Sequence, residues 1–448
     1  MSPTPSTHGK VTPAVLIVGG GIGGLMLATL FERINIRYHI FERAKELRSL
    51  GSAMTMGANI LPVFEQLGLL SEIESIALPC PALNFYDGNV NKIGSITLMG
   101  TKDTGYENLL FARPKLYELL RKQVPESKIS LNKKVLRSEE VDGHVVIHCS
   151  DNTTYEGDIL IGADGAYSGV RQSLYRRMEE EGILPKSDSE DLSIGYVAMV
   201  GVSNPSNPEK YPQLKDDYSH FSQVLGPNSR NWTAVSVPNN QVCWGLGVQL
   251  TESQAKDQQF RNSEWGPEAN DAMIKEFQDL PCPWGGTMGE LIENTPNDLI
   301  SKVFLEEKIF KSWFHGRTVL IGDACHKMLP GAGLGAVNAM HDAVILTNCI
   351  YEMKDVSTES ITAAFQSYYD QRFSYSNEQF KSSSAMSRTM FGQTPSARFL
   401  RNVILNYLPT WLQRRDFAKT LSYRPQISWL PLAENRGTIR VQPQGIKK

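Results

Sequence analysis

Residues 15–18 are apolar without a break and run straight into Gly19-Gly20-Gly21-Ile22-Gly23-Gly24. No other junction restricts the fold as much. A short, fully apolar run reads as a strand buried on both faces of a parallel sheet. Glycines at positions 19, 21 and 24 then permit a tight turn, a backbone that can approach a pyrophosphate, and a helix packed close to the sheet. Apolar and small residues recur at helical spacing over 22–34, and 38–41 returns to strand character. The stretch therefore predicts a β-α-β unit whose helix aims free N–H groups and a positive dipole end at phosphates. Glu42 lies 21 residues beyond Gly21, at the end of the second strand, with Arg43 next to it. A carboxylate there can accept both ribose hydroxyls of an adenosine. This unit predicts dinucleotide binding and leaves FAD and NAD(P) equally open.

Two more glycine turns follow apolar strands. Residues 159–161 lead into Gly162-Ala163-Asp164-Gly165, and Ser168-Gly169-Val170-Arg171 then opens a helix. Residues 318–321 lead into Gly322-Asp323-Ala324-Cys325-His326, then Pro330-Gly331-Ala332-Gly333-Leu334-Gly335, then Asn338 and Asp342. Asp323 closes its strand where it can hold a sugar or ribityl hydroxyl. The turn from Pro330 to Gly335 enters a helix whose N–H groups suit an anionic ring edge. Between these motifs the pattern changes. The runs 194–202, 218–224, 232–237 and 242–249 are β-rich and separated by Asn/Pro/Gly loops, as in an antiparallel sheet. Residues beyond 357 are mostly helical.

Composition removes several classes. Lys plus Arg number 45 against 48 Asp plus Glu, a net charge of -3, which gives no electrostatic footprint for nucleic acid. The six cysteines (Cys80, Cys149, Cys243, Cys282, Cys325, Cys349) form no Cys-x-x-Cys and no zinc spacing, so reduced thiols and no metal are expected. The chain of 448 residues exceeds one ordinary core. No apolar run is long enough to span a bilayer. Residues 1–12 lack the apolar stretch of a signal peptide and read as a flexible N-terminus. A cytoplasmic location is expected, with peripheral membrane association as the alternative.

The three glycine motifs, in this order and spacing, resemble the class A flavoprotein monooxygenases over roughly residues 12–350. That family includes aromatic hydroxylases of the p-hydroxybenzoate hydroxylase type, zeaxanthin-epoxidase-like enzymes, and fungal FAD-dependent epoxidases of secondary metabolism. Gly322-Asp323-Ala324-Cys325-His326-Lys327-Met328 is most similar to the fungal branch. The resemblance implies an α/β (α+β) fold. A Rossmann-like FAD-binding domain of the glutathione-reductase type (13–181 and 301–356) would be split by a β-rich substrate domain (182–300) and followed by a helical region and tail (357–448). It implies that Gly19, Gly21 and Gly24 bind the FAD pyrophosphate and Glu42 the adenosine ribose, with Arg43 alongside. Arg113, in Phe111-Ala112-Arg113-Pro114, matches a family arginine that contacts FAD. Asp164 and Gly165 match a motif for FAD and NAD(P)H, and Asp323 matches the aspartate of the ribityl chain. Pro330, Gly331, Gly333 and Gly335 match the loop around the flavin ring, and Asn338 stands one place after the usual asparagine. Leu334 and Val337 depart from the Gln and Asn common there.

The implied chemistry is reduction of FAD by NAD(P)H, formation of a C4a-hydroperoxyflavin with O2, and oxygen transfer to an electron-rich carbon by hydroxylation or epoxidation. A flavin-dependent reductase or dehydrogenase on the same fold, or a flavin-binding protein without turnover, are the alternatives. Tyr196, Tyr218, Phe221, Trp232 and Trp244 each suit ordinary core packing; together they point to an apolar small-molecule substrate, whether aromatic, prenylated or terpenoid. His220 is expected to be structural, and His326 to shape the flavin loop. The amphipathic stretch 398–411 is expected to dock on the core, with membrane contact as the less favoured alternative.

Overall fold

The computed structural model describes residues 12–46, 50–250, 270–330, 333–392 and 394–443. In chain order its main elements begin with β1 (Ala14–Val18), α1 (Ile22–Arg33), β2 (Arg37–Phe41) and β3 (Ala53–Met56). Next come β4 (Ala82–Asp87), β5 (Lys92–Thr97), β6 (Leu109–Ala112), α2 (Arg113–Lys122), β7 (Ile159–Gly162) and α3 (Gly169–Glu180). Then follow β8 (Ser193–Val202), β9 (Phe221–Leu225), β10 (Arg230–Val237) and β11 (Gln241–Gln249). The last third holds β12 (Ser301–Ile309), β13 (Thr318–Leu320), β14 (His326–Lys327) and the helices α4 (Gly335–Tyr351), α5 (Thr358–Phe391), α6 (Pro395–Asn406) and α7 (Thr410–Ser422).

The first sheet is parallel in the order β13-β7-β1-β2, with a short strand at each edge. Val18 pairs with Gly162 and Gly162 with Leu320, so the C-terminal ends of β1, β7 and β13 stand side by side. The three glycine turns, far apart in sequence, therefore meet on one edge, where open α/β sheets take their ligands. Leu16, Ile17 and Leu160 are buried, as a sheet covered on both faces requires. Helix α1 is buried from Ile22 to Phe31 except at Gly23, where an added Cβ would touch Ala339 at 3.4 Å. That contact marks how closely α1 packs against α4.

The second sheet has eight strands in the order β14-β12-β8-β11-β10-β9-β4-β5. It extends beyond the 182–300 stretch expected to build it. β4 and β5 come from the first part of the chain, and β12, expected in the nucleotide-binding part, pairs with β8 from Ser193 to Val200. The reason is edge protection: β4 runs parallel to β9 and β12 antiparallel to β8, covering hydrogen-bonding edges that the four local strands would leave open. The far face buries Met199, Trp232 and Trp244 against Phe277, Met288 and Leu291. The near face packs Val202, Val235, Val237 and Cys243 against Leu110 and Ala112 of β6.

Two expected helices are broken by local chemistry. Residues 61–70 read in sequence as one amphipathic helix, but the chain breaks it at Gly68, which adopts φ +73°. The 398–411 helix splits into α6 and α7 at Leu408-Pro409, because proline lacks the N–H that would continue it.

Trp232 is fully buried, donates its indole N–H to the Pro281 carbonyl at 2.9 Å and meets the Phe277 ring edge-on. Trp232→Ala should lower unfolding stability by about 3–5 kcal/mol. Urea denaturation measures it, and a loss under about 1 kcal/mol would contradict this packing.

Candidate functional site

The first turn is set by two glycines that the protein itself requires. Gly19 has φ +109°, and an added Cβ would lie 2.3 Å from the Ala163 carbonyl oxygen. A Cβ at Gly24 would lie 2.1 Å from the Gly19 oxygen. Gly21 differs: nothing stands within 4 Å of its would-be Cβ. It precedes α1 without a side-chain cap, so the first N–H groups of the helix face open space. Glu42 is held at the end of β2, its two oxygens accepting from Gly20 N–H at 2.8 Å and Ala44 N–H at 2.9 Å. Each oxygen keeps a lone pair for a ribose hydroxyl. Arg43 is exposed beside it.

The second turn carries an unsatisfied carboxylate. One Asp164 oxygen caps α3, accepting from Gly169 N–H at 2.7 Å and Val170 N–H at 3.2 Å. The other oxygen is buried and has no partner within the protein. Burial pushes this carboxyl above its ordinary pKa. Buried polar atoms are rarely left so, and an orphan acceptor asks for a donor from a ligand. Gly165, at φ +82°, again has nothing within 4 Å of a would-be Cβ. Arg171 spans from this turn to the third, donating to the carbonyls of Ala324 at 2.9 Å and Ala166 at 2.7 Å.

In the third turn Asp323 accepts from Lys327 Nζ at 2.5 Å. Asp323 raises the Lys327 pKa above its ordinary value against the effect of burial. Protein surrounds Lys327 on nearly every side, yet water reaches 23% of its side chain, as at the wall of a deep cleft. Arg113, at the start of α2, faces the same cleft with its side chain open to water: the surrounding protein lowers its pKa and the Asp323 charge opposes that. Its guanidinium donates to the Leu50 carbonyl at 2.5 Å. Glu306, only 3% exposed, accepts from the Tyr167 hydroxyl, and burial pushes its carboxyl up. Sequence reasoning missed Lys327, Glu306 and Tyr167. The four-residue spacing of Asp323 and Lys327 was the one available signal.

Gly333 adopts φ +65° and donates its N–H to Pro330 O at 2.8 Å. Pro330 is exposed; Gly331 lies outside the described residues. Gly335 opens α4 with nothing within 4 Å of a would-be Cβ. Asn338 does not face the cleft as expected. It is 1% exposed, its oxygen accepts from Arg372 at 2.9 Å and its nitrogen donates to Leu334 O at 3.1 Å, so it braces the loop from behind. Beneath it Asp342 accepts from Gly322 N–H at 2.8 Å, His326 Nε2 at 2.6 Å and Arg372 Nε at 2.7 Å. Burial works to raise the Asp342 pKa, but His326 and Arg372 outweigh it and hold it near about 2. Cys325, His326 and Asp342 lie within 4.8 Å of one another, but Arg372 already supplies the positive charge a metal would bring. His220 pairs with Asp216 at 2.7 Å. Trp232 and Trp244 face away from this cleft, in the far-face core.

Residues 12–209 and 245–372 match the family described as FAD binding domain. The chain is 27% identical to the FAD-dependent monooxygenase atmM of Aspergillus flavus over 438 residues, covering 94% of this chain and 88% of that protein. It is 29% identical to the FAD-dependent monooxygenase ptmM of Penicillium ochrochloron over 361 residues, 78% and 81% of the two chains. HpxO of Klebsiella pneumoniae, solved with FAD and uric acid, shares the fold with a TM-score of 0.74 at 20% identity, covering 92% of this chain and 97% of that one. The chain belongs to the FAD binding domain family. Its residues fit that cofactor: three glycines without neighbours (Gly21, Gly165, Gly335) and one orphaned carboxylate oxygen line the edge where the three turns meet.

Asp323→Ala should purify with little or no flavin absorbance. Gly21→Ala should keep the apoprotein melting temperature and weaken FAD by about tenfold or more, because its Cβ intrudes only on ligand space. Unchanged FAD affinity in both variants would show that these turns do not hold the cofactor. Asp342→Asn should cost about 3–5 kcal/mol by leaving Arg372 buried without its partner. Because the Asp342 pKa is depressed on folding, its contribution is full above about pH 4 and is lost as pH falls toward 2. Acid unfolding curves of the two proteins should therefore converge in that window.

Proposed function

We propose that this chain is an FAD-dependent monooxygenase that uses NAD(P)H and O2 to hydroxylate or epoxidise an apolar small molecule. Bound FAD supplies the chemistry: it accepts electrons from NAD(P)H and activates O2. The protein's residues hold, orient and shield. Gly21 and the N-terminus of α1 take the pyrophosphate, Glu42 the ribose, and Asp323, Arg113 and Asp164 the groups between the turns. The N-terminus of α4 places N–H groups and a positive dipole end against negative charge on the ring.

The near face of the eight-stranded sheet carries the substrate assignment. Cross-strand partners share a face. Tyr196 pairs with Leu305, Ala198 with Val303, and Val200 with Gly245, so these six form one surface opposite the tryptophan core. A Cβ at Gly245 would find only Val200, at 3.7 Å. Two elements join this surface to the flavin loop. Thr55 of β3 stands 3.4 Å from a would-be Cβ of Gly333. On the other side, Ser383 of α5 bonds the Leu329 carbonyl while Phe391 of the same helix meets Tyr196 edge-on at 6.1 Å. These six are apolar apart from the Tyr196 hydroxyl, with Ser301 and Thr233 beside them on the same face, and as a chamber wall they suit an apolar substrate. The Tyr196 hydroxyl has its pKa raised first by burial and then by Glu307, so it remains protonated. It serves as a hydrogen-bond donor rather than a base, which suits epoxidation or attack on a carbon that needs no deprotonation.

The test is turnover of a prenylated or polycyclic apolar compound under 18O2 with NADPH. One labelled oxygen per product molecule supports the assignment. Product formed without label would instead place the enzyme among flavin-dependent reductases or dehydrogenases.

A further inference from the structure

Among the described residues no helix is long and apolar enough to cross a membrane. Yet the three most exposed large apolar side chains among these residues are Tyr407 at 73%, Phe399 at 71% and Trp411 at 66%, all within one short segment. Helix α6 docks on the core through Leu405, which packs with Phe85, Ile96 and Met390. Phe399, Val403 and Tyr407 fall on the opposite side at four-residue spacing, flanked by Leu400. The stretch expected to dock on the core thus does so on one face and presents a second apolar stripe to solvent.

The charge of this segment departs from that of the chain. Residues 395–422 carry Arg398, Arg401, Arg414, Arg415 and Lys419 against the single carboxylate Asp416, in a chain of net charge -3. Arg414 meets Asp103 and Lys419 meets Glu378, and the segment still keeps an excess of positive charge. Beside the stripe opens a recess of about 600 Å³, apolar along Leu250, Ala397 and Leu400 and polar at Gln249, Arg388 and several Ser and Thr hydroxyls. Leu400 belongs to both stripe and recess. Gln249 pairs across the sheet with Tyr196, which meets Phe391 of α5 edge-on, so the recess borders the strands that carry the proposed chamber wall.

We propose that α6 and the start of α7 seat on the anionic surface of a lipid bilayer, with the recess as the entry by which an apolar substrate leaves the lipid for the chamber. An amphipathic helix with exposed aromatics and flanking arginines binds such a surface by apolar burial plus attraction to acidic headgroups. The lipid contact stands on the stripe and its charge alone; the entry route also rests on the function proposed above.

The experiment is co-sedimentation of the purified, FAD-loaded full chain with phosphatidylcholine vesicles, with and without about one-third phosphatidylserine. The chain should pellet with the anionic vesicles and release as salt rises. A variant combining Phe399→Ser, Tyr407→Ser and Trp411→Ser should bind about tenfold or more weakly. Its flavin absorbance should be unchanged, which shows that it has folded. The charge variant Arg398→Glu with Arg415→Glu should lose the preference for phosphatidylserine. No binding to anionic vesicles, or equal binding by both variants, overturns the proposal. So does a lipid-free dimer that the serine variant abolishes, since the stripe would then be an interface between copies. For the entry route, the serine variant should turn over detergent-dispersed substrate normally and vesicle-held substrate slowly; equal rates on both overturn the route. Loss of all turnover with vesicle binding intact would count against the function and not against the lipid contact.

Discussion

The Asp342 carboxylate is the point on which the cleft is hung. It is buried, and it accepts from three segments at once: the Gly322 turn, His326 on β14, and Arg372 on the long helix α5. A buried charge is tolerated only when its partners are in place. Satisfying it fixes where the Asp323 turn sits, and so the direction in which Asp323 and Lys327 point. Arg372 extends the arrangement to Asn338 and to the Tyr423 hydroxyl, so α4, α5 and the C-terminal segment share one hydrogen-bonded group, to which the Asn338 side chain adds Leu334. Val337 is buried in the hydrophobic core, which accounts for an apolar residue standing where the resembling family often has Asn.

The glycines divide into two kinds that look alike as letters. Gly19 and Gly24 are required by backbone atoms already in contact, whereas Gly21, Gly165 and Gly335 have no such neighbours and border the cleft. The first kind builds the turn; the second leaves room for what the turn receives. Asp164 joins the two, one oxygen capping α3 and the other left for a ligand.

What the sequence disclosed follows this distinction between local and distant. The β1-turn-α1 unit, the carboxylate at Glu42 and the strand before Asp323 are each contained within a few dozen residues, and all are where their pattern put them. Distant pairings left no such trace. The β-rich runs of 193–250 were readable as strands, but nothing in their alternation said that β4 and β12 would border them. Parity along β11 separates Trp244 from Gly245 without saying which face looks on the cleft. Asn338 was assigned to the cofactor because its motif lies beside the loop; its actual partner, Arg372, is 34 residues on. The helix expected over 398–411 had the right amphipathic pattern, but its apolar residues serve two different surfaces.

The parallel pairing of β4 with β9, and the antiparallel pairing of β12 with β8, bear on how the chain is made. The eight-stranded sheet draws on segments from residue 82 to residue 327. During synthesis the edge of β8 stays unpaired until β12 has emerged, long after the β-α-β unit could have formed. Such late, non-local strand closure is slow and leaves a sticky edge exposed while it is awaited. The nascent chain is therefore most prone to aggregate while the second sheet is half built, and demand for chaperones should peak in that interval.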